Sequence, residues 1–331
     1  MAAHVTVPFG VRALRWATRA IPAMSVSHMD AATLRRLQTM AIPENPVVNL
    51  LFGRPRSDVR TSHWSFAGPG GQVPVRVYTP RAVSARPRRL VVNYHGGGFV
   101  VGSARQCDWI CNVVAAQTGA VVVSPDYRLA PTNPFPAAVE DAVATLEWAV
   151  ANAGEFSADG SRVAVMGDSA GGSLAAVVSL HARDAGLAGG ARIVHQGLIY
   201  PATDLTDEGL AQPSSVANTH PILLSNRDME VFRAHYLPSG TDATDWRVSP
   251  LRAADHRGLP PATVILAGLD PLHDTGAQYA QRLADAGVAV QVEDYHRMPH
   301  GFLTFPYLCK DAKHAAAALV RDQNAAFTAD D

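Results

Sequence analysis

Cysteine is scarce. Three thiols in 331 residues, Cys107, Cys111 and Cys309, are an odd number with no Cys-x-x-Cys pair, which argues against a disulfide framework and a structural zinc. Buried thiols in a reducing compartment, the cytoplasm, are the expectation. Charge of one sign is not in excess either. A formal net charge of -1 leaves no electrostatic footprint for a nucleic acid. No stretch approaches the ~18 consecutive apolar residues of a membrane span, and the N-terminus lacks the apolar core and small-residue cleavage site of a signal peptide. Phosphate-binding loops are missing as well. Gly96 and Gly98 would need a third glycine at 101, where Val101 stands, and there is no Gly-Lys-Ser or Gly-Lys-Thr. Internal repeats and low-complexity segments are absent.

Acidic residues are missing from the first 29 positions, where Arg12, Arg15 and Arg19 lie beside Val11, Leu14 and Ile21 on a basic amphipathic helix. Such a helix can associate weakly with an anionic membrane surface or cover its own domain. The second is the preferred reading.

What is present is the composition of one soluble unit, 47% hydrophobic and 17% charged. HWSF and VPVRVY, either side of Gly68-Pro69-Gly70-Gly71, read as an opening hairpin. Apolar, β-branched runs follow at 90–94, 120–124, 162–166, 191–200, 262–268 and 288–295, and helix-compatible segments lie at 106–118, 137–152, 170–184, 273–286 and 309–327. The fold class is α/β: a mostly parallel central sheet with helices on both faces, because the runs are continuously apolar rather than alternating. About 60 residues separate Tyr200 from Ala262, far more than a crossover needs. Ser225 with Asp228 looks like a capping box, so the inserted segment is expected to hold a helix.

Four motifs fall where strands end. In Gly167-Asp168-Ser169-Ala170-Gly171 a strand meets a helix, the context of a nucleophile elbow, where glycines at 167 and 171 allow a tight turn that lifts the Ser169 hydroxyl clear. The helix dipole favours negative charge developing there. His95-Gly96-Gly97-Gly98 follows the strand LVVNY, and bare backbone N–H groups in this loop, with that of Ala170, suit an oxyanion hole. His95 is read as a structural hydrogen-bonding residue, not a proton carrier. Asp270 lies just past ATVILAG, with Asp274 as its rival. His300 lies in the loop after the next strand, with His296 as its rival. Asp270 is preferred because it is nearest the strand end and Pro271 fixes the turn. His300 is preferred because Gly301 lets the loop bend. The order Ser, Asp, His is that of an α/β-hydrolase triad.

From about residue 60 to 310 the chain resembles the hormone-sensitive-lipase-like, or bacterial family IV, carboxylesterases, on HGGGFVVGS, DYRLAPTNPFPAAVEDAV, GDSAGGSLA, the SPL of 249–251, GLPPATVILAGLDPLHD and MPHGF. The resemblance implies Ser169 as nucleophile, His300 as general base and acid, Asp270 as orienting residue, and the N–H groups of Gly97, Gly98 and Ala170 as oxyanion hole, with no metal or cofactor. His95, Gly96, Gly167, Asp168 and Gly171 would support the site. It also implies a helical cap, dividing the chain into 1–58, the N-terminal part of the cap, and 59–331, the catalytic domain interrupted by a cap insertion at 203–240. Thr132 replaces the family's usual Glu, and His273, Asp274 and Thr275 replace Arg-Asp-Glu, all outside the triad. The expected activity is hydrolysis of short- to medium-chain acyl esters through an acyl-enzyme. Alternatives are an amidase or deacetylase acting on small drug-like compounds, or a non-catalytic small-molecule receptor, against which the intact MPHGF motif argues. The expected partner is a small-molecule ester, with no nucleic acid and no membrane span. A homodimer through an edge strand is left open.

Overall fold

The computed structural model describes residues 7–20, 25–39, 42–43, 45–217 and 222–329. Eight strands form one sheet: β1 (Val59–Gly68), β2 (Gly71–Pro80), β3 (Arg88–Tyr94), β4 (Val121–Pro125), β5 (Ala158–Asp168), β6 (Arg192–Ile199), β7 (Ala262–Leu269) and β8 (Val290–Pro299). Their order is β1-β2-β4-β3-β5-β6-β7-β8. The β1–β2 hairpin turns at Gly68–Gly71, and β2 runs antiparallel to β4. All the remaining pairings are parallel.

The continuous apolarity of the central strands has a direct cause. Leu90 and Val92 of β3, Val163 and Val165 of β5, and Val264 and Leu266 of β7 enter one hydrophobic core. Their alternates, Val91, Ala164, Met166, Ile265 and Ala267, enter a second core on the opposite face. A strand buried on both faces has no polar position to spare.

Eleven α-helices accompany these strands among the described residues. Three precede the sheet: α1 (Phe9–Ala20), α2 (Ala31–Thr39) and α3 (Pro46–Phe52). Next come α4 (Asp108–Thr118), α5 (Ala137–Ala151) and α6 (Ala170–Ala185). Three short ones, α7 (Asp207–Leu210), α8 (Pro213–Ala217) and α9 (Asn226–Tyr236), lie between β6 and β7. The chain closes with α10 (His273–Asp285) and α11 (Asp311–Thr328). Residues of α5, α6 and α10 fill the first core, and residues of α4 and α11 fill the second.

Val11 and Leu14 of α1 are buried in the second core, so α1 covers its own domain. Ile21 and the Arg19 side chain lie outside the described residues. At α9, Ser225 accepts the N–H of Asp228 and the Asp228 carboxylate accepts the N–H of Ser225, a reciprocal capping box.

Element boundaries differ modestly from those the sequence suggests. A single 3₁₀ turn, Ala104–Cys107, precedes α4, and β5 starts at Ala158, a start the sequence conceals because the strand's mostly polar first residues, ADGSR, carry no apolar run, and a bulge interrupts their pairing with β3.

The chain visits β3, then β4 on one side, then β5 on the other. The sheet therefore has a switch point between β3 and β5, the position where open α/β sheets open a crevice at their strand ends.

Candidate active site

Ser169 stands at that switch point, between the last residue of β5 and the first of α6. Its backbone φ of 57° and ψ of -119° are strained for a residue with a side chain. The surroundings hold it there. The Ser169 N–H donates to the Ile199 carbonyl at 2.8 Å and the Ser169 carbonyl accepts from Ala202, which ties the turn to the end of β6. The turn is tight enough to require glycine nearby: a Cβ on Gly171 would lie 2.0 Å from the Tyr94 carbonyl oxygen, and one on Gly167 would lie 2.2 Å from the Gly171 oxygen.

Two side chains from other strand ends complete a chain of hydrogen bonds. His300 Nε2 is 2.9 Å from Ser169 Oγ, and His300 Nδ1 is 2.7 Å from Asp270 Oδ2. The carboxylate accepts only, so the imidazole proton sits on Nδ1 and Nε2 presents a lone pair to the serine hydroxyl. Asp270 is fully buried, and its other oxygen accepts the Leu272 N–H at 2.8 Å. The edge of Tyr200 packs on the His300 ring, with centroids 4.9 Å apart.

Their rivals lie elsewhere. Asp274 accepts the Ser214 N–H and contacts His273, as befits a residue in the first turn of α10. His296 belongs to β8 itself, and its side chain is 77% exposed beside Asp294.

The loop after β3 faces the serine. Gly97, Gly98 and Ala170 line the same cavity as Ser169 and His300. Gly98 has φ of +62°, and no side chain fits there. Asp168 anchors the loop to the elbow, accepting the Gly96 N–H at 2.9 Å and the Cys107 thiol at 3.4 Å. Burial raises the Asp168 carboxyl above the usual range, against the pull of these donors and of the neighbouring histidines.

His95 is fully buried. Its ring stacks on Tyr127 at 4.1 Å, and Nδ1–H donates to the Gly96 carbonyl. Burial also lowers its pKa, leaving it neutral. It braces the loop from behind. Thr132, one of the departures from the family pattern, donates to Gln38, which in turn donates to the Val100 carbonyl.

The cavity over Ser169 measures about 270 Å³. Its roof comes from two segments that sequence reasoning left without residues. One is the 3₁₀ turn at Val26–His28, which contributes Val26. The other is the segment between β6 and β7, which contributes Leu205, Leu223 and Leu224 and, from α9, Asp228, Met229, Phe232, Arg233 and Tyr236. The spacing of Met229, Phe232 and Tyr236, three then four residues, is a helical stripe legible in the sequence.

Asp228 joins the two segments. Its Oδ1 accepts the Ser25 hydroxyl and, at 3.0 Å, the Ser27 N–H, while Oδ2 accepts the N–H and hydroxyl of Ser225. Among the described residues no cluster of three or more His, Cys, Asp or Glu side chains could hold a metal ion. None of their helices is long and apolar enough to cross a membrane.

Comparison with known proteins bears on the whole arrangement. The family model of the alpha/beta hydrolase fold matches residues 91–304. The carboxylic ester hydrolase LipN of Mycobacterium tuberculosis is 45% identical over 253 residues, 75% of this chain and 66%, just under two thirds, of LipN. The carboxylesterase NlhH of the same species is 41% identical over 247 residues, 73% of this chain and 75% of NlhH. The hyperthermophilic esterase of the archaeon Pyrobaculum calidifontis superposes with a TM-score of 0.83 at 36% identity, covering 95% of this chain and 97% of that one.

Proposed function

We propose that this chain, which belongs to the hormone-sensitive-lipase-like α/β-hydrolases and is a carboxylic ester hydrolase, cleaves short- to medium-chain acyl esters through an acyl-enzyme on Ser169. The single observation that carries the residue assignment is the unbroken line from Asp270 Oδ2 through both nitrogens of His300 to Ser169 Oγ, with bonds of 2.7 and 2.9 Å.

In this reading His300 takes the hydroxyl proton of Ser169 at Nε2 while the oxygen attacks the acyl carbon. Charge then accumulates on the carbonyl oxygen, to be met by the N–H groups of Gly97, Gly98 and Ala170. These groups are fixed beforehand by the loop and the elbow, so little reorganisation is needed as the charge forms. His300 passes its proton to the departing alcohol, then activates water to release the acid. Asp270 stays ionised throughout and compensates the imidazolium.

The cavity supports the acyl-length limit. Leu205, Leu224, Met229 and Phe232 make most of its roof apolar beside Asp228 and Arg233, and its size of about 270 Å³ suits a few carbons better than a long chain. A cytoplasmic setting is supported by three free, buried thiols.

The test is hydrolysis of p-nitrophenyl esters from acetate to palmitate by wild type and Ser169→Ala. Activity that peaks at short or medium acyl groups and falls by about 10⁴-fold or more in the variant is the expected result. A variant retaining appreciable activity, or a wild type that prefers palmitate, would overturn it.

A further inference from the structure

The N-terminal segment differs in charge from the rest of the chain. Residues 1–57 contain seven arginines and two acidic residues, a formal excess of five positive charges in a chain whose net charge is -1. Charge segregated in this way points to an anionic partner.

Apolar surface coincides with it. While Val11 and Leu14 of α1 face the core, Phe9 and Trp16 face outward, 83% and 74% exposed. Seven residues apart, they lie on one side of the helix, with the exposed Arg12 between them. In α3, Val47 and Leu50 are also turned outward, 78% and 58% exposed. Single exposed apolar residues need no explanation, but several on two neighbouring short helices do.

Both helices rest on the same stretch of chain. A Cβ on Gly10 of α1 would lie 1.8 Å from the Leu308 carbonyl oxygen, and Phe52 of α3 packs on Phe305 with ring centroids 5.7 Å apart. Between them in sequence, Tyr307 is exposed beneath the Lys313 ammonium, 5.9 Å from its ring centre.

We propose that this face docks on a membrane surface containing anionic lipid. Phe9 and Trp16 enter the boundary between headgroups and acyl chains, and the exposed Arg12 between them pairs with lipid phosphate, within the positive field of the segment. An amphipathic helix with aromatic residues and a cationic flank is the form that peripheral membrane binding takes. A second copy of the chain fits less well, since two faces with the same positive excess repel. Phe305 also lines the catalytic cavity, so the docking face lies one aromatic contact away from it. Esters dissolved in the bilayer would meet the enzyme at that side.

The test uses the full chain in vesicle flotation, with phosphatidylcholine alone and with an equimolar mixture of phosphatidylcholine and phosphatidylglycerol. Wild type should float with the mixed vesicles and not with the neutral ones, and the bound fraction should fall as salt is raised. Phe9→Ser/Trp16→Ser and, separately, Arg12→Glu should each weaken binding by about tenfold. Both should keep the melting temperature of wild type and its turnover of soluble p-nitrophenyl acetate. No binding to the mixed vesicles, equal binding to neutral ones, or undiminished binding by the stably folded aromatic variant would overturn the proposal. Self-association of wild type in the absence of lipid, lost in the same variant, would assign the face to a second copy instead.

Discussion

The ring of Phe232 fills the space a side chain would need at Gly98: a methyl group there would lie 2.3 Å from the ring, on a backbone already at φ +62°. The cap and the loop after β3 thus meet at one point. Gly98→Ala is expected to displace the loop and lower kcat/KM on p-nitrophenyl butyrate by about 10²-fold, the cost of misaligning one donor of the proposed oxyanion hole. Adding Phe232→Ala should restore part of that loss, and Phe232→Ala alone should move the preferred acyl group to longer chains. If the double variant is no faster than Gly98→Ala, crowding by the ring is not the cause.

Asp270→Asn would replace an acceptor of the His300 Nδ1–H by a group that can donate toward it, turning the imidazole to the wrong tautomer. A drop in kcat of about 10⁴-fold with little change in KM is expected. Steady-state kinetics at neutral pH decide, and a variant that changes only KM would assign Asp270 to substrate binding.

Asp228 accepts four hydrogen bonds. Burial pushes its carboxyl up, but the donors Ser225, Ser25 and the Ser27 N–H outweigh burial and hold it below the ordinary value of 3.8. A depressed folded pKa means that the ionised form stabilises the fold above that value, and the contribution is lost as pH falls below it. Asp228→Asn should cost about 1–3 kcal/mol at pH 7, because an amide cannot accept all four donors. The gap between variant and wild type in urea midpoint should narrow in acid. A gap that is the same at both pH values would rule out the charge as the source.

His195 is a buried histidine with no role at the site. Thr263 gives its hydroxyl proton to Asp322, so the Thr263 oxygen must accept from His195 Nε2–H, which leaves Nδ1 bare and without a partner. Burial, only partly opposed by Asp322, lowers its pKa from 6.5 to about 4. The unfolded chain therefore binds a proton in this window that the folded chain refuses, so stability falls as pH drops from 6.5 toward 4. The full contribution is up to about 3 kcal/mol. His195→Gln should flatten this part of the curve of urea midpoint against pH. An unchanged slope would shift the acid sensitivity to other groups, such as His95 or His256.

The meeting of Ser169, Asp270 and His300 was legible because each of its parts is local. An apolar run followed by glycines around a serine marks a strand, a forced turn and a helix within ten residues, and the same logic picks out Asp270 and His300 at the ends of β7 and β8. Their rivals differ by only a few positions, and strand geometry separates them: His296 is still inside β8 and points outward. The roof of the cavity was legible only in outline. The excess length between β6 and β7 announced it, and Ser225 with Asp228 marked the start of α9. Which residues roof the cavity was not readable, since α7 and α8 span four and five residues, too few for any periodicity. Nor does anything near Ser25 in the sequence indicate that its partner lies 203 positions away.

That long-range clasp bears on how such enzymes can be recombined. One carboxylate holds the N-terminal turn and α9 together, so the two behave as a single inheritable block despite the strands β1 to β6 threaded between them. A chimera that takes residues 25–29 from one relative and 222–236 from another separates a donor from its acceptor, whereas exchanging both segments together leaves the roof intact.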